Sequence, residues 1–282
     1  ECGLTLKKSQ CEFERSSIKF FGLIFSNQGV HPDPDKIEAL KQAEHPSNKA
    51  ELRSFLGTTN FTSQFVPNYA TMTHPLRHLL RKSVPWKWGA LQQQAFEKLK
   101  GVFHTEAYLS CYNPTLEKTE VICDASPVGL GAMLVQYSKG NPAPRIVSLS
   151  SKALDDVQQR YGHIEREALA IQFGCFKFQM YLLGHPGFSI VTDHKPLVSL
   201  FNNPRRPGPF RVERMRLKIQ GFSYVVVYRP GKDNPADYMS RHPLAFSTCS
   251  KDELKCSSEL EAHIHWVVHS SLPSALTLSE LK

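Results

Sequence analysis

The sequence has no long apolar run. Its most apolar stretches, such as Phe20–Phe25 and Tyr224–Tyr228, are only a few residues long. A membrane-spanning helix needs roughly 20 apolar residues, so no such span is expected. No Cys-x-x-Cys pair occurs among the seven cysteines. Scattered free thiols of this kind fit a reducing intracellular compartment rather than a disulfide framework. Cys249 and Cys256, with His263, His265 and His269 downstream, invite a zinc reading. Structural zinc sites, however, usually pair cysteines roughly two to four residues apart, which favours plain thiols and surface histidines. There is no initiator Met and no signal-peptide pattern at Glu1, so a fragment, a processed product or an incomplete reading frame is expected. Acids are in deficit, with 26 Asp+Glu against 34 Lys+Arg and a net charge of +8. That balance suggests an acidic partner such as nucleic acid. Hydrophobic residues at 41% and charged residues at 21% exclude collagen-like, low-complexity and wholly disordered classes. A chain of 282 residues holds one large domain or two ordinary ones, with a core that needs no staple.

Four segments stand out. Residues 1–45 read as short strands and turns, with a turn at Asn27-Gln28-Gly29 and a helix start at Pro32-Asp33-Pro34-Asp35, Asp33 being the N-cap. Residues 46–114 are helical: Ser47 precedes Glu51, and Leu52, Phe55, Leu56 and Thr59 share one helix face. Met72–Lys82 and Ala90–Phe103 continue the helical pattern, with breaks at Pro67, Pro75 and Pro85 and an aromatic pair, Trp86 and Trp88, at the last of them. Residues 115–241 change style. Three strands, Glu120–Cys123, Gly129–Gln136 and Ile146–Leu149, precede a long helix over Gln158–Leu183 with Ile164, Ala168, Ile171, Cys175 and Met180 on one side. A strand at Phe188–Thr192, helices at Pro196–Phe201 and Phe210–Gln220, a strand at Tyr224–Tyr228 and a closing turn or helix at Asn234–Met239 follow. This order predicts an α/β mixed sheet covered by helices. Residues 242–282 read as a linker with one short amphipathic helix, Glu259–His269.

The acids of the third segment fall at element ends. Asp124 ends its first strand, Glu167 lies on the long helix, Asp193 ends a later strand and Asp237 opens the closing helix. Four hard oxygen ligands converging on one sheet edge would bind Mg²⁺. Two such ions about 4 Å apart clamp the attacking and leaving oxygens of a phosphodiester.

The blocks Leu4-Thr5-Leu6-Lys7-Lys8-Ser9-Gln10-Cys11, Glu51–Gly57, Asp124–Leu134, Glu165–Ile171, Thr192–Leu197 and Tyr228–Arg241, in this order along the chain, resemble motifs of gypsy-class retrotransposon reverse transcriptases. Leu4-Thr5-Leu6-Lys7-Lys8-Ser9-Gln10-Cys11, Phe20-Phe21-Gly22 and Gly29–Ile37 look like the end of the palm. Glu51–Gly57, Asn60-Phe61, Phe65-Val66-Pro67, and Trp86 with Ala95–Lys100 look like the thumb. Asp124–Leu134, Tyr161 with Glu165–Ile171, Thr192–Leu197 and Tyr228–Arg241 look like the family's ribonuclease H domain. The resemblance implies a ribonuclease H-like mixed five-stranded sheet over residues 115–241, preceded by a mainly helical thumb. The tail would then be a linker toward integrase.

It further implies Mg²⁺-dependent endonucleolytic hydrolysis of the RNA strand of an RNA–DNA hybrid. Two Mg²⁺ ions (Mn²⁺ as a substitute) would be held by Asp124, Glu167, Asp193 and Asp237. Glu165 competes for the second position, but Ala170 and Ile171 suit Glu167 in the family's frame. The implied partners are the hybrid and the rest of the Pol polyprotein, its polymerase fingers and palm and its integrase, with no membrane. The implied location is a cytoplasmic particle or the nucleus. Two features depart from the family. The polymerase acids, including those of a Tyr-x-Asp-Asp strand, do not occur in this chain, and the loop Arg229–Asn234 has no His, with Tyr228 either a stand-in or packing. The alternative function is a host-adopted or decayed remnant that binds nucleic acid without cutting it.

Cations cluster between the last two acids. Arg205, Arg206, Arg211, Arg214, Arg216 and Lys218 face a single acid, Glu213, and Arg229, Lys232 and Arg241 flank Asp237. Arg211, Arg214 and Lys218 share a helix face and form a candidate track for duplex phosphates. Minor-groove 2′-hydroxyls would mark the RNA strand. Trp86 and Trp88 are candidates either for base stacking or for burial at the helix junction.

Overall fold

The computed structural model describes residues 15–103, 108–116, 118–141 and 143–231. The chain starts with a three-stranded antiparallel sheet, β1 (Ser17–Phe20), β2 (Leu23–Ser26) and β3 (Gly29–Pro32). Phe21 and Gly22 both take positive φ, 48° and 71°, as a two-residue hairpin with the strands' own twist requires. At Gly29 a Cβ would run into the Leu109 carbonyl, where Val30 and Leu109 exchange backbone hydrogen bonds of 2.8 and 2.9 Å.

Helix α1 (Pro34–Gln42) starts where expected. Asp33 accepts from the Asp35 amide at 3.2 Å and lies 2.6 Å from Lys19 Nζ. Helix α2 (Lys49–Phe61) is capped by Asn48, whose Oδ1 accepts from the Ala50 and Glu51 amides. Glu51 closes the cap by accepting from the Ser47 amide and hydroxyl. Helix α3 (Tyr69–Leu79) runs through Pro75, where a break was expected. The proline forfeits one backbone hydrogen bond, but burial of Leu76 and Leu79 beyond it keeps the turn helical. Helix α4 (Ala90–Phe103) completes a core of Leu52, Phe55, Leu76, Phe96 and Leu99. Trp86 and Trp88 pack onto it, their rings 5.9 Å apart, and Trp88 Nε1 donates to Gln93. Both therefore serve packing at the junction.

The second sheet has order β6-β5-β4-β7-β8. Its strands are β4 (Lys118–Ala125), β5 (Gly129–Tyr137), β6 (Arg145–Ala153), β7 (Phe188–Thr192) and β8 (Tyr224–Tyr228). β4, β5 and β6 are antiparallel neighbours, whereas β7 is parallel to both β4 and β8, so the sheet is mixed. The long helix expected over Gln158–Leu183 is three pieces: a 3₁₀ turn (Gln158–Arg160), α5 (His163–Lys177) and α6 (Gln179–Leu182). Asp155 stops the continuous helix by capping the 3₁₀ turn, accepting from the Val157 and Gln158 amides. Tyr161 and Gly162 then take extended backbone before α5 begins. The bend at Phe178 turns Met180 outward, 58% exposed, while Ala168, Ile171 and Cys175 of the same predicted stripe are buried. Helices α7 (Lys195–Asn202) and α8 (Phe210–Lys218) complete the layer.

One face of the sheet packs Val121, Cys123 and Leu134 against Ala168, Ile171 and Cys175 of α5. The other face packs Ile122, Met133, Val135 and Val191 against Phe65 and Leu109, with Leu23 and Val30 at its margin. The hairpin, the segment between α2 and α3, and the second sheet thus share one core. Cys123 and Cys175 are buried free thiols. Among the described residues, no helix is long and apolar enough to cross a membrane.

Candidate active site

β4 and β7 run parallel with Ile122 opposite Val191. Two residues further on, the same register brings Asp124 beside Asp193, at the C-terminal ends of neighbouring central strands. The backbone beyond β8 returns to this point. Arg229 N–H donates to the Thr192 carbonyl at 3.0 Å, and a Cβ on Gly231 would stand 3.2 Å from Asp193 Oδ2. Asp237 and Lys232, and also Arg241, Cys249, Cys256, His263, His265, His269 and the helix expected at Glu259–His269, lie outside the described residues.

Glu167 reaches the same edge from α5. Gly174 lies two turns later on the same helix stripe. It lets the helix press on the sheet: a Cβ there would sit 3.0 Å from Cys123 Sγ and Val121 Cγ1. That close approach buries Glu167, whose side chain is 2% exposed. Burial first, then the charges of Asp193 and Asp124, push its carboxyl up to about 8. Glu167 Oε2 is buried without a hydrogen-bond partner, and Oε1 stands 3.8 Å from His163 Nε2. Glu165, the competing acid, turns away. It accepts from the Gly162 amide at the head of α5 and pairs with Arg211 Nη1 at 3.1 Å.

Two histidines, not singled out from the sequence, border the acids. The His163 and His194 rings lie 5.2 Å apart, and His194 Nδ1 is buried without a partner. Burial, then the neighbouring His163, pull the His194 imidazole below its ordinary value. Asn68 has no sequence signal of its own at this site, yet its Nδ2 donates to Asp124 Oδ2 at 3.2 Å.

The donor set suits a hard divalent cation: carboxylates, one of which keeps a buried, unfilled acceptor. Among the described residues, though, no three His, Cys, Asp or Glu side chains stand close enough together to hold a metal ion.

The basic segment divides into two sets. Arg216 works inside the fold, donating to the carbonyls of Leu200, Asn203 and Pro204 and pairing with Glu213. Arg229 is committed to buried Glu120, at 2.8 and 2.9 Å, where Lys118 and the Tyr137 hydroxyl also converge. Arg211 stacks over the Tyr161 ring at 4.6 Å. Arg205, Arg206, Arg214 and Lys218 are exposed. Tyr228 ends β8 at 43% exposure.

Residues 115–222 match the family described as the RNase H-like domain found in reverse transcriptase. The Tf2-3 and Tf2-4 transposon polyproteins of Schizosaccharomyces pombe are each 34% identical to this chain over 240 residues, which is 84% of the chain and 18% of each relative. The chain thus spans less than a fifth of those relatives' length. Among solved structures, a foamy viral protease–reverse transcriptase in complex with an RNA/DNA hybrid matches 84% of this chain and 32% of its own, at TM-score 0.58 and 18% identity. A complex of that viral enzyme with double-stranded DNA gives TM-score 0.58 over 77% of this chain and 45% of its own, at 19% identity. With its mixed five-stranded sheet, the matched region 115–222 is an RNase H-like domain of the kind found in reverse transcriptases, and the chain is similar to the corresponding part of these transposon polyproteins.

Proposed function

We propose that this chain hydrolyses the RNA strand of RNA–DNA hybrids endonucleolytically, with Mg²⁺ or, in its place, Mn²⁺. The observation that carries the reading is Glu167: buried, raised to about 8 by burial and by Asp193 and Asp124, with an acceptor oxygen left unfilled. A carboxylate kept in that state gains most from a bound cation. The four holders would be Asp124, Glu167, Asp193 and Asp237. Two divalent ions bound there would supply a nucleophilic water and neutralise the leaving 3′ oxygen. In the balanced step, the water oxygen bonds to phosphorus and the P–O3′ bond breaks. One proton ends on O3′, leaving 5′-phosphate and 3′-hydroxyl ends. Asp124 and Asp193 fix the strand-end positions, and Glu167 closes the site from the helix. The domain division that goes with this reading is a palm end (1–45), a thumb (46–114), a ribonuclease H domain (115–241) and a linker (242–282). The fingers and palm, the integrase and the hybrid would be the partners.

The test is incubation with a labelled hybrid and Mg²⁺. Wild type should cleave the RNA strand, and Asp124→Asn should be slower by about 100-fold or more, because loss of several kcal/mol of charge stabilisation costs tenfold per 1.4 kcal/mol. No cleavage, or cleavage unchanged in the variant, overturns the proposal. Salt-sensitive hybrid binding without cleavage would point instead to a non-catalytic, nucleic-acid-binding remnant.

Exposed Arg214 and Lys218 carry a separate prediction. The double alanine variant should lower the slope of log affinity against log salt by about 1 to 2, as expected for two lost phosphate contacts. An unchanged slope in filter binding would remove this face from the hybrid track.

A further inference from the structure

Asn68 sits at the N-cap of α3 with φ 50° and ψ 31°, one of two non-glycine residues with positive φ among those described. Asn is a preferred N-cap residue because its side-chain oxygen satisfies the first free amides of a helix. Here the side chain makes no capping bond. It points away from its own helix, and its amide donates to Asp124 Oδ2 across 3.2 Å. The left-handed backbone, which Asn tolerates better than most residues, is what aims it there.

The sheet is shaped to receive it. Asp124 pairs across the ladder with Gly131 on β5, and any Cβ at 131 would collide with Asn68 Oδ1. Two residues in the first turn of α3 tie down the same corner. Ala70 N–H donates to Ser151 Oγ at 3.0 Å, and Thr71 Oγ1 lies 2.8 Å from Ser126 Oγ. Ser126 itself holds the β4–β5 turn by accepting from the Gly129 amide at 2.8 Å.

We infer that Asn68, contributed by the helical region, is a positioning residue for Asp124: it orients the carboxylate for a divalent cation. A neutral amide donor suits this task. It fixes one oxygen, leaves the carboxylate its charge, and eases repulsion from Glu167 and Asp193 without competing for the cation. Removing a partner of this kind typically weakens metal binding about 10- to 100-fold.

The inference rests on the metal-dependent reading above, so the test uses two readouts on the full chain: Mg²⁺ binding by titration calorimetry and hybrid cleavage. Asn68→Gly keeps the left-handed backbone and deletes only the amide. Asn68→Asp keeps the shape and puts a like charge beside Asp124. Asn68→Gly should melt close to wild type. Asn68→Gly should bind Mg²⁺ about tenfold more weakly, and its half-maximal cleavage should need correspondingly more Mg²⁺ with KM for the hybrid unchanged. Asn68→Asp, which when ionised has no hydrogen to donate to Asp124, should also change Mg²⁺ binding from the wild-type value. Mg²⁺ binding unchanged in both variants overturns the inference, as does tighter binding or faster cleavage in Asn68→Gly. If Asn68→Gly does not fold, Asn68→Asp decides alone. Wild type whose Mg²⁺ binding depends on Asn68 but which cuts no hybrid would overturn the proposed function and leave the inference standing. Wild type that cuts, with Asn68→Gly indistinguishable from it, would do the reverse.

Discussion

Glu167→Gln should make the metal-free protein more stable at pH 8 while removing hybrid cleavage. The Glu167 carboxyl titrates at about 8 in the fold, against an ordinary value of 4.5. The folded state therefore holds a proton that the unfolded chain releases, so stability falls as pH rises between those two values. Each tenfold gain in proton affinity is worth about 1.4 kcal/mol, which sets an upper limit of about 5 kcal/mol for the strain of ionising Glu167 in place. Gln carries no charge and escapes that strain. Thermal melts in EDTA should show the two proteins close together near pH 4.5 and the variant increasingly ahead up to pH 8, beyond which the gap levels off. Mg²⁺ should raise the wild-type melting temperature and close the gap, because a cation that binds only the native site stabilises it by mass action. It should leave the variant nearly unchanged. A gap that is flat with pH would mean that Glu167 is not the strained acid described here. Such a trade of stability for function is common where like charges are gathered for catalysis.

Arg229→Ala should cost about 3–5 kcal/mol of stability without altering the salt slope of hybrid binding. Glu120 is 2% exposed at its side chain and sits under Arg229, which is 25% exposed. Burial pushes the Glu120 carboxyl up, but hydrogen bonds from Lys118 and Arg229 outweigh it, and the net shift is downward. Removing Arg229 leaves a buried carboxylate short of its main partner, the situation in which breaking a buried pair is expensive. Lys118 is itself 54% exposed and compensates only in part. The downward shift also sets the pH behaviour. The pair's contribution is fully present above the ordinary Glu range and is lost as acid protonates Glu120 in the fold. Urea melts at neutral pH and in acid below the ordinary Glu range should therefore show the Arg229→Ala deficit shrinking in acid. A substitution that left stability intact but reduced the salt slope would return Arg229 to the nucleic-acid face. Glu120→Leu paired with Arg229→Leu should recover most of the loss, since apolar replacement of a buried pair is often neutral.

Local pattern is informative at some positions and silent at others. The Asp33 cap, the α2 stripe of Leu52, Phe55, Leu56 and Thr59, and the span of α4 are all legible in the sequence, because each depends on neighbours three or four residues away. Asp124 and Asp193 are readable as strand ends for the same reason, since apolar strands run straight up to them. The choice of Glu167 over Glu165 comes from the motif's frame. The fold adds a physical distinction between them, one acid buried on the sheet face of α5 and the other spent on the helix start and Arg211. Periodicity wrongly gives one continuous helix over Gln158–Leu183, because it ignores a cap such as Asp155 and an extended pair such as Tyr161-Gly162.

The sequence by itself determined the order of strands and helices, the polar and apolar faces, the positive charge and the family likeness. These are properties of spacing and composition, which short-range sterics and burial convert directly into elements. Only the tertiary structure decided which charges are spent inside the fold and which face solvent. Arg216 and Arg229 look like their neighbours in the basic cluster, but they meet carbonyls and a carboxylate brought from elsewhere in the chain. Nothing in the sequence marks Asn68 until Asp124 is folded against it. An ion pair or hydrogen bond between distant residues leaves no periodic trace in a sequence, because its energy depends on the distance closed by folding and on the water removed around it.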